Sequence, residues 1–279
     1  IVTAATRGWA ETVGRIATGF ATSVIGCDCE AAVDRLLEPD ETPDGRPGVQ
    51  LLFFAFSSDR LQKALVKRIG QCVLTCPTTA CYDALPPGVF DAKPEKRIRV
   101  GGFLRYFGDG FQISKKLGDR RFWRIPAMDG EFLCEDTFGT VKGVGGGNFL
   151  VLSRDQESGL IACEKAAAAM RVLPDVILPF PGGCVRSGSK VGSRYSGLVA
   201  STNEAYCPTL RGIAKSALPP DVQCAYEVVI DGLSVAAIEE ATRVGVKAAC
   251  LPGVVQITAG NYGGKLGPFH FHLHKILQK

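Results

Sequence analysis

Glu227 is the residue whose type and surroundings most directly suggest chemistry. It lies in the run Cys224-Ala-Tyr-Glu-Val-Val-Ile230, whose other side chains are aromatic, aliphatic and β-branched and read as a buried strand. Side chains alternate across a strand, so Ala225, Glu227 and Val229 share one face while Tyr226, Val228 and Ile230 line the other. A carboxyl group among apolar neighbours has its charged form disfavoured by desolvation, and so can donate a proton near neutrality. The alternative is a carboxylate on the solvated side of a sheet or in an edge-strand ion pair, where strand carboxylates usually lie.

Other segments offer weaker chemistry. The glycine-rich stretch from Gly182 to Gly192 resembles a phosphate-binding loop only superficially, because Lys190 is displaced from the second glycine and no Ser or Thr follows it. It can hold an anionic or amide-bearing ligand, or simply connect two elements. Gly145-Gly-Gly-Asn-Phe149 and the cluster from Gly260 to Gly267 permit close backbone approach but lack the dinucleotide fingerprint. The three histidines, His270, His272 and His274, read as one face of a final strand, where a neighbouring pair could share a metal but a surface or interface role fits better. Eleven cysteines, odd in number and irregularly spaced, suggest neither a disulfide framework nor a metal site. No nucleophile elbow is present, and no Cys has a His nearby in sequence.

The elements that would position Glu227 follow a pattern that occurs twice. In the first half, a strand at Ile1 to Ala4, a helix from about Thr6, a strand at Phe20 to Ile25, a strand at Val49 to Phe56 and a helix from about Asp59 are expected. In the second half, Phe149 to Leu152, a helix from about Glu157, Val176 to Pro179, Ala225 to Ile230, a helix from about Val235 and Val254 to Ala259 repeat the order. Arg68-Ile-Gly70 is echoed by Arg243-Val-Gly245. The expectation is an α+β protein of two lobes, each a ferredoxin-like split β-α-β core. The first lobe spans residues 1–148 and carries a β-rich insertion at about 101–147, and the second spans 149–279. Turns at Gly108 to Gly110, Leu117 to Asp119 and Met128 to Gly130 punctuate the insertion.

Bulk composition excludes other classes. The 279 residues carry a net charge of only +4, with 22% charged residues and no apolar run long enough to span a bilayer. The basic cluster from Lys115 to Arg124 can attract an anion, but reads better as a solvated hairpin around Gly118 and Asp119. The chain opens at Ile1 without Met and without a signal-peptide progression, so it reads as a truncated start of a cytoplasmic protein.

Several strings together identify a family. Glu41-Thr-Pro-Asp-Gly-Arg-Pro-Gly48, Phe107-Gly-Asp-Gly110, Gly146-Gly-Asn-Phe149, Pro179-Phe-Pro-Gly-Gly183, Ser189-Lys-Val-Gly-Ser193, Ala205-Tyr-Cys-Pro208 and Gly260-Asn-Tyr-Gly-Gly-Lys-Leu-Gly267 closely resemble the formylmethanofuran:tetrahydromethanopterin formyltransferase family over essentially the whole chain. The resemblance implies reversible formyl transfer between N5 of tetrahydromethanopterin and the amine of a methanofuran-type coenzyme. Both coenzymes are substrates there, and no metal or prosthetic group takes part. It implies a buried glutamate as the acid, which falls on Glu227, and a further segment ahead of Ile1. Cys27-Asp-Cys29, Gln71 to Cys76 and the basic charge balance are similar to the forms in methylotrophic bacteria. The family resemblance implies a homotetramer and the bacterial form a subunit of a formyltransferase/hydrolase complex, while the charge and the lack of a long apolar run point to no nucleic-acid or membrane partner.

Phe107, Asp109, Lys190, Asn203 and Tyr206 are the expected substrate-binding residues, chosen as polar groups and cleft walls within the family strings. Two rival readings are a non-catalytic scaffold subunit of such a complex and a nucleic-acid-binding tandem of ferredoxin-like lobes. Retention of Glu227 and the glycine strings argues against the first, and the modest charge against the second.

Overall fold

The computed structural model describes residues 1–85, 97–186, 189–260 and 267–278, and divides into two units, Ile1–Lys142 and Gly143–Lys279. In the first unit β1 (Val2–Thr3), α1 (Arg7–Thr18), β2 (Glu30–Leu37), β3 (Gly48–Phe54), α2 (Ser58–Arg68) and β4 (Ala80–Cys81) follow in chain order. They pair antiparallel in the spatial order β2-β3-β1-β4, the ferredoxin-like arrangement expected from the repeated pattern. Each helix starts where a side-chain oxygen can satisfy a free amide: Thr6 accepts from the Trp9 N–H and Ser57 from the Arg60 N–H. Ala10, Val13 and Ala17 recur at helical spacing on α1 and bury against Val2 and Val49 of the sheet.

The remainder of this unit contains β5 (Arg97–Arg99), α3 (Gly101–Leu104), β6 (Ile113–Leu117), β7 (Arg120–Ala127), β8 (Gly130–Glu135) and β9 (Thr137–Gly139). β8 pairs parallel with β4, so the meander β6-β7-β8 extends the core to a seven-stranded sheet. The three expected turns are present. Asp109, Gly110, Gly118 and Gly130 all have positive φ, the conformation that lets the chain reverse tightly there. The basic cluster forms the β6-β7 hairpin, but Arg120 reaches inward to the buried carboxylate of Glu135.

One expectation fails in this unit. Residues 20–25 form no strand, and the strand is β2, inside what reads as a loop. The reason lies in Arg68, whose guanidinium is buried and donates to the carbonyls of Ala17, Gly19 and Phe20. These carbonyls bond to a side chain rather than to a neighbouring strand, and Phe20 turns to φ 56 with its ring exposed. β2 is masked in the sequence by Asp34 and Arg35, consecutive charges at a bulge, of which Asp34 accepts from Gln50 and Arg35 pairs with Glu41.

The second unit begins at β10 (Val144–Ser153), ahead of the expected boundary at 148/149. α4 (Gln156–Met170), β11 (Val176–Ile177), β12 (Ser189–Val191), β13 (Ala200–Thr202), β14 (Cys224–Gly232), α5 (Val235–Ala249), β15 (Val254–Thr258) and α6 (Leu273–Gln278) follow. β11-β14-β10-β15 is again the ferredoxin-like order with every neighbour antiparallel. β12 and β13 make a separate ribbon. The expected histidine strand is absent: His270 and His272 precede α6 and His274 lies within it. Leu273 packs on the α4/α5 core and Ile276, at helical spacing from it, is buried, which overrides the period-two spacing of the histidines. Among the described residues no helix is long and apolar enough to cross a membrane.

The echo of Arg68-Ile-Gly70 in Arg243-Val-Gly245 divides by residue. An added Cβ would lie 2.9 Å from Leu104 Cδ2 at Gly70 and 2.6 Å from Met170 Sδ at Gly245, so both glycines admit a neighbouring side chain. The arginines differ, since Arg243 pairs at the surface with Glu240 while Arg68 is buried and also holds Asp28 at 2.7 Å. Arg68→Ala leaves three carbonyls and a carboxylate without their donor. The expected loss is roughly 2–4 kcal/mol of unfolding free energy, read from urea midpoints, whereas Arg243→Ala should leave the midpoint essentially unchanged.

Candidate active site

Glu227 sits on β14, on the face of the sheet opposite α4 and α5. Tyr226, Val228 and Ile230 point to the helices with Phe149 and Val151, in a core completed by Ala162, Ala166 and Ile238. Ala225 lies on the other face with Leu150 and Leu152, under Leu218, Val222 and the partly buried ring of Tyr206. The alternation expected from sequence holds, and Glu227, facing this second layer, is 6% exposed.

Backbone pairing explains how the carboxyl is held. Directly opposite Glu227 on β10 is Leu150. The Glu227 N–H and C=O turn the other way, to the C=O and N–H of Val185 at 2.9 and 2.7 Å. Val185 thus takes up the ladder position next to β14 beyond the end of the short β11. The Leu150–Glu227 pair is therefore a non-hydrogen-bonded one, the closer of the two antiparallel pair types. Asn148 stands one pleat away on the same face as the diagonal neighbour of Glu227. Its Nδ2 donates to Glu227 Oε1 at 2.9 Å, and its Oδ1 accepts from the Gly260 N–H at 3.1 Å.

The glycine cluster ahead of Asn148 makes this placement possible. β10 bulges between Val144 and Gly147, with Gly146 at φ 80 and its N–H donating to the buried Asp231 carboxylate. A Cβ on Gly147 would approach Ile238 Cγ2 to 2.8 Å, so the strand lies against α5 as only glycine allows. The cover over Leu150 and Leu152 is tied by Arg211, whose guanidinium donates to the carbonyls of Pro219, Pro220 and Val222.

The other expected site residues occupy varied settings. Lys190, on β12, is ion-paired with Glu204, and this hydrogen bond holds the Glu204 carboxyl below its ordinary value. The Asn203 carbonyl accepts from the Tyr206 N–H, at the start of the short turn that carries Tyr206 into the cover. Phe107 and Asp109 belong to the first unit. Phe107 is exposed and Asp109 turns the chain at φ 49. Tyr206 thus packs in the layer that Glu227 faces, while Lys190 and Asn203 flank the segment leading to it. Residues 187–188 and 261–266, parts of two glycine-rich strings, lie outside the described residues. Sequence reasoning missed Asn148, Val185 and Arg211. Only the glycine run before Asn148 signalled that its backbone was special.

Next to Val185, Cys184 is half-buried and packs on the core that contains Cys163 of α4. The Cys163 thiol beside it draws Cys184 below the ordinary thiol range, while Cys184 and burial together push Cys163 well above it.

Two family models match the chain. One, described as formylmethanofuran-tetrahydromethanopterin formyltransferase, covers residues 1–127, and the other, described as the proximal lobe, covers residues 130–276. A formylmethanofuran--tetrahydromethanopterin formyltransferase from Methylococcus capsulatus is 56% identical, over 99% of this chain and 92% of its own length. The crystal structure of the formyltransferase/hydrolase complex from Methylorubrum extorquens in complex with methylofuran contains a chain 51% identical, with a TM-score of 0.91, covering 100% of this chain and 91% of that one. The formylmethanofuran:tetrahydromethanopterin formyltransferase from Methanosarcina barkeri aligns with a TM-score of 0.89 at 45% identity, covering 99% of this chain and 92% of that one.

The thiol pair predicts an order of chemical reactivity, because the thiolate is the nucleophile. Under iodoacetamide, peptide mass spectrometry should find Cys184 alkylated before Cys163. Cys163→Ala, which removes the neighbouring thiol, should slow labelling of Cys184; faster labelling would contradict the coupling of the two thiols.

Proposed function

The chain belongs to the formylmethanofuran-tetrahydromethanopterin formyltransferase family, and from that premise we propose that it moves a formyl group reversibly between N5 of tetrahydromethanopterin and the amine of a methanofuran-type coenzyme, with Glu227 as the acid. The observation that carries the reading is the burial of one glutamate carboxyl on the sheet face opposite the helices, beside Leu150 and hydrogen-bonded to Asn148.

The reaction exchanges one C–N bond for another. The attacking amine adds to the formyl carbon and gives a tetrahedral oxyanion. Collapse breaks the bond to the departing nitrogen, which must gain a proton while the attacking nitrogen loses one. Desolvation favours the neutral acid of Glu227, which donates to the oxyanion or to the departing nitrogen, and its carboxylate then takes up the proton released by the amine. Acid and base are the same group at different stages, so the transfer runs in either direction without a covalent enzyme intermediate. Orientation of the two coenzymes and exclusion of water supply the rest of the rate. The coenzymes are substrates rather than resident groups, and the chemistry needs no prosthetic group.

Tyr206, Asn203, Phe107 and Asp109 are proposed to bind substrate, consistent with the exposed Phe107 ring and with Tyr206 in the layer over Leu150. Lys190 would meet an anionic coenzyme tail by sharing or leaving Glu204. A cytoplasmic location is part of the same proposal. So is assembly as a homotetramer or beside a hydrolase, as in the Methylorubrum complex. The higher identity to the Methylococcus relative (56%) than to the Methanosarcina protein (45%) sides with the bacterial form.

The test mixes the full chain with formylated tetrahydromethanopterin and a furfurylamine acceptor and follows formyl appearance on the acceptor. Glu227→Gln keeps the shape and removes the transferable proton, so turnover should fall by about 10²-fold or more with unchanged melting; wild-type turnover would end the acid assignment. Lys190→Ala should raise the KM of a coenzyme with an anionic tail, more at low salt than at high. A KM equal to that of the unaltered protein at all salts would remove Lys190 from the binding site.

A further inference from the structure

Asn148 is bonded on both sides, and the two bonds leave its amide only one orientation. The Gly260 backbone N–H can only donate, so the Asn148 atom facing it at 3.1 Å is the carbonyl oxygen. The amide NH2 therefore faces Glu227 Oε1, at 2.9 Å. An oxygen that accepts an N–H bond serves as the carbonyl oxygen of a carboxylic acid, which leaves the proton on the other oxygen. We propose that Asn148 is a positioning residue that fixes Oε2 of Glu227 as the oxygen from which the proton leaves and to which it returns. This rests on the reading of Glu227 as the acid.

The same bond persists when the carboxyl is ionised, since Oε1 accepts in either state. The group need not rotate between donating and receiving a proton. Asn is the side chain whose length and chemistry suit the position. Asp lacks the donor, Ser has a single hydroxyl for two partners, and Gln would push its amide one methylene too far. Through Asn148, β10 joins the acid on β14 to Gly260, just beyond β15, so three neighbouring segments of the sheet set the orientation of one carboxyl. Among the described residues, the titratable and charged groups on the elements around Glu227 include Asp231 on its own strand face, Tyr206 and Arg211 in the covering segment, and Cys184 and Arg186 either side of Val185. Substitution of Asn148 leaves all of them in place.

The experiment measures kcat and KM across pH for N148D, N148A and E227Q, each as the full chain and each checked by melting temperature. N148A should lower kcat by about tenfold to a hundredfold, as loss of orientation does, with KM for both coenzymes held within about threefold. The active form is the acid, so activity is lost as pH rises through its ionisation. A second carboxylate facing Oε1 disfavours that ionisation, and N148D should therefore carry the basic limb of the kcat profile to higher pH. A merely structural role would not move this limb. Folded N148D and N148A with unaltered kcat and basic limb, beside an inactive E227Q, would overturn the proposal and leave the acid standing. A lower kcat in N148D with the limb unmoved would overturn it as well. An active E227Q would remove the acid itself, and the proposal with it. Where N148D does not fold, the split between kcat and KM in N148A decides.

Discussion

The structure around Glu227 depends on the cost of keeping a carboxyl group away from water. A buried carboxyl without a donor is expensive in either protonation state, and more so when ionised. Here a side-chain amide one pleat away on the adjacent strand donates to it. That contact requires the antiparallel register of β10 and β14 to place Leu150 opposite Glu227, since a slip of one residue would turn Asn148 to the helix face. The register is set in turn by the bulge at Gly146 and by the apolar alternation of both strands. One hydrogen bond therefore depends on a strand pairing that is already needed to bury Phe149, Val151, Val228 and Ile230.

The face of a ferredoxin-like sheet that the helices leave free is treated differently in the two units. In the second, the segment carrying Tyr206, Leu218 and Val222 lies over it, fastened by the Arg211 guanidinium to three backbone carbonyls. In the first, the sheet grows sideways, with β8 adding to the short β4 and the meander continuing to β6. Buried charges in that meander are paired and hydrogen-bonded. Glu135 accepts from Arg120 and from the Asp83 N–H, while Asp83 accepts from Arg97 and the Gly139 N–H. Removal of any one partner would leave the others buried and unmatched.

Internal resemblance in the chain proved to mean two different things. Gly70 and Gly245 both give room to a large apolar side chain at the end of the second helix of their unit, a packing requirement set by the shared topology. Arg68 and Arg243 stand in the same relation to those glycines in sequence, yet one organises the backbone after α1 and the other lies at the surface. The shared topology accounts for the repeated glycine, whereas the repeated arginine has no common role in the two units.

Periodicity alone determined the α+β class, the twofold β-α-β-β-α-β order, the turns of the meander and the face on which Glu227 lies. These follow from local rules: the pitch of helix and strand, and the few residues that tolerate positive φ. The strand at Glu30–Leu37 was hidden, because Asp34 and Arg35 break its alternation and only a bulge and cross-strand partners restore it. The histidines misled, because their spacing suits a strand while Leu273 packs on a core that the sequence cannot display and Ile276 is buried one helical step on. Glu227 stood out in one dimension as a charge in an apolar run. Its donor did not, since Asn148 is 79 residues away and reaches it only after two strands have been laid side by side. Tertiary structure decided that partnership, because hydrogen bonds depend on distance in space, and no local pattern records which distant amide will arrive at 2.9 Å.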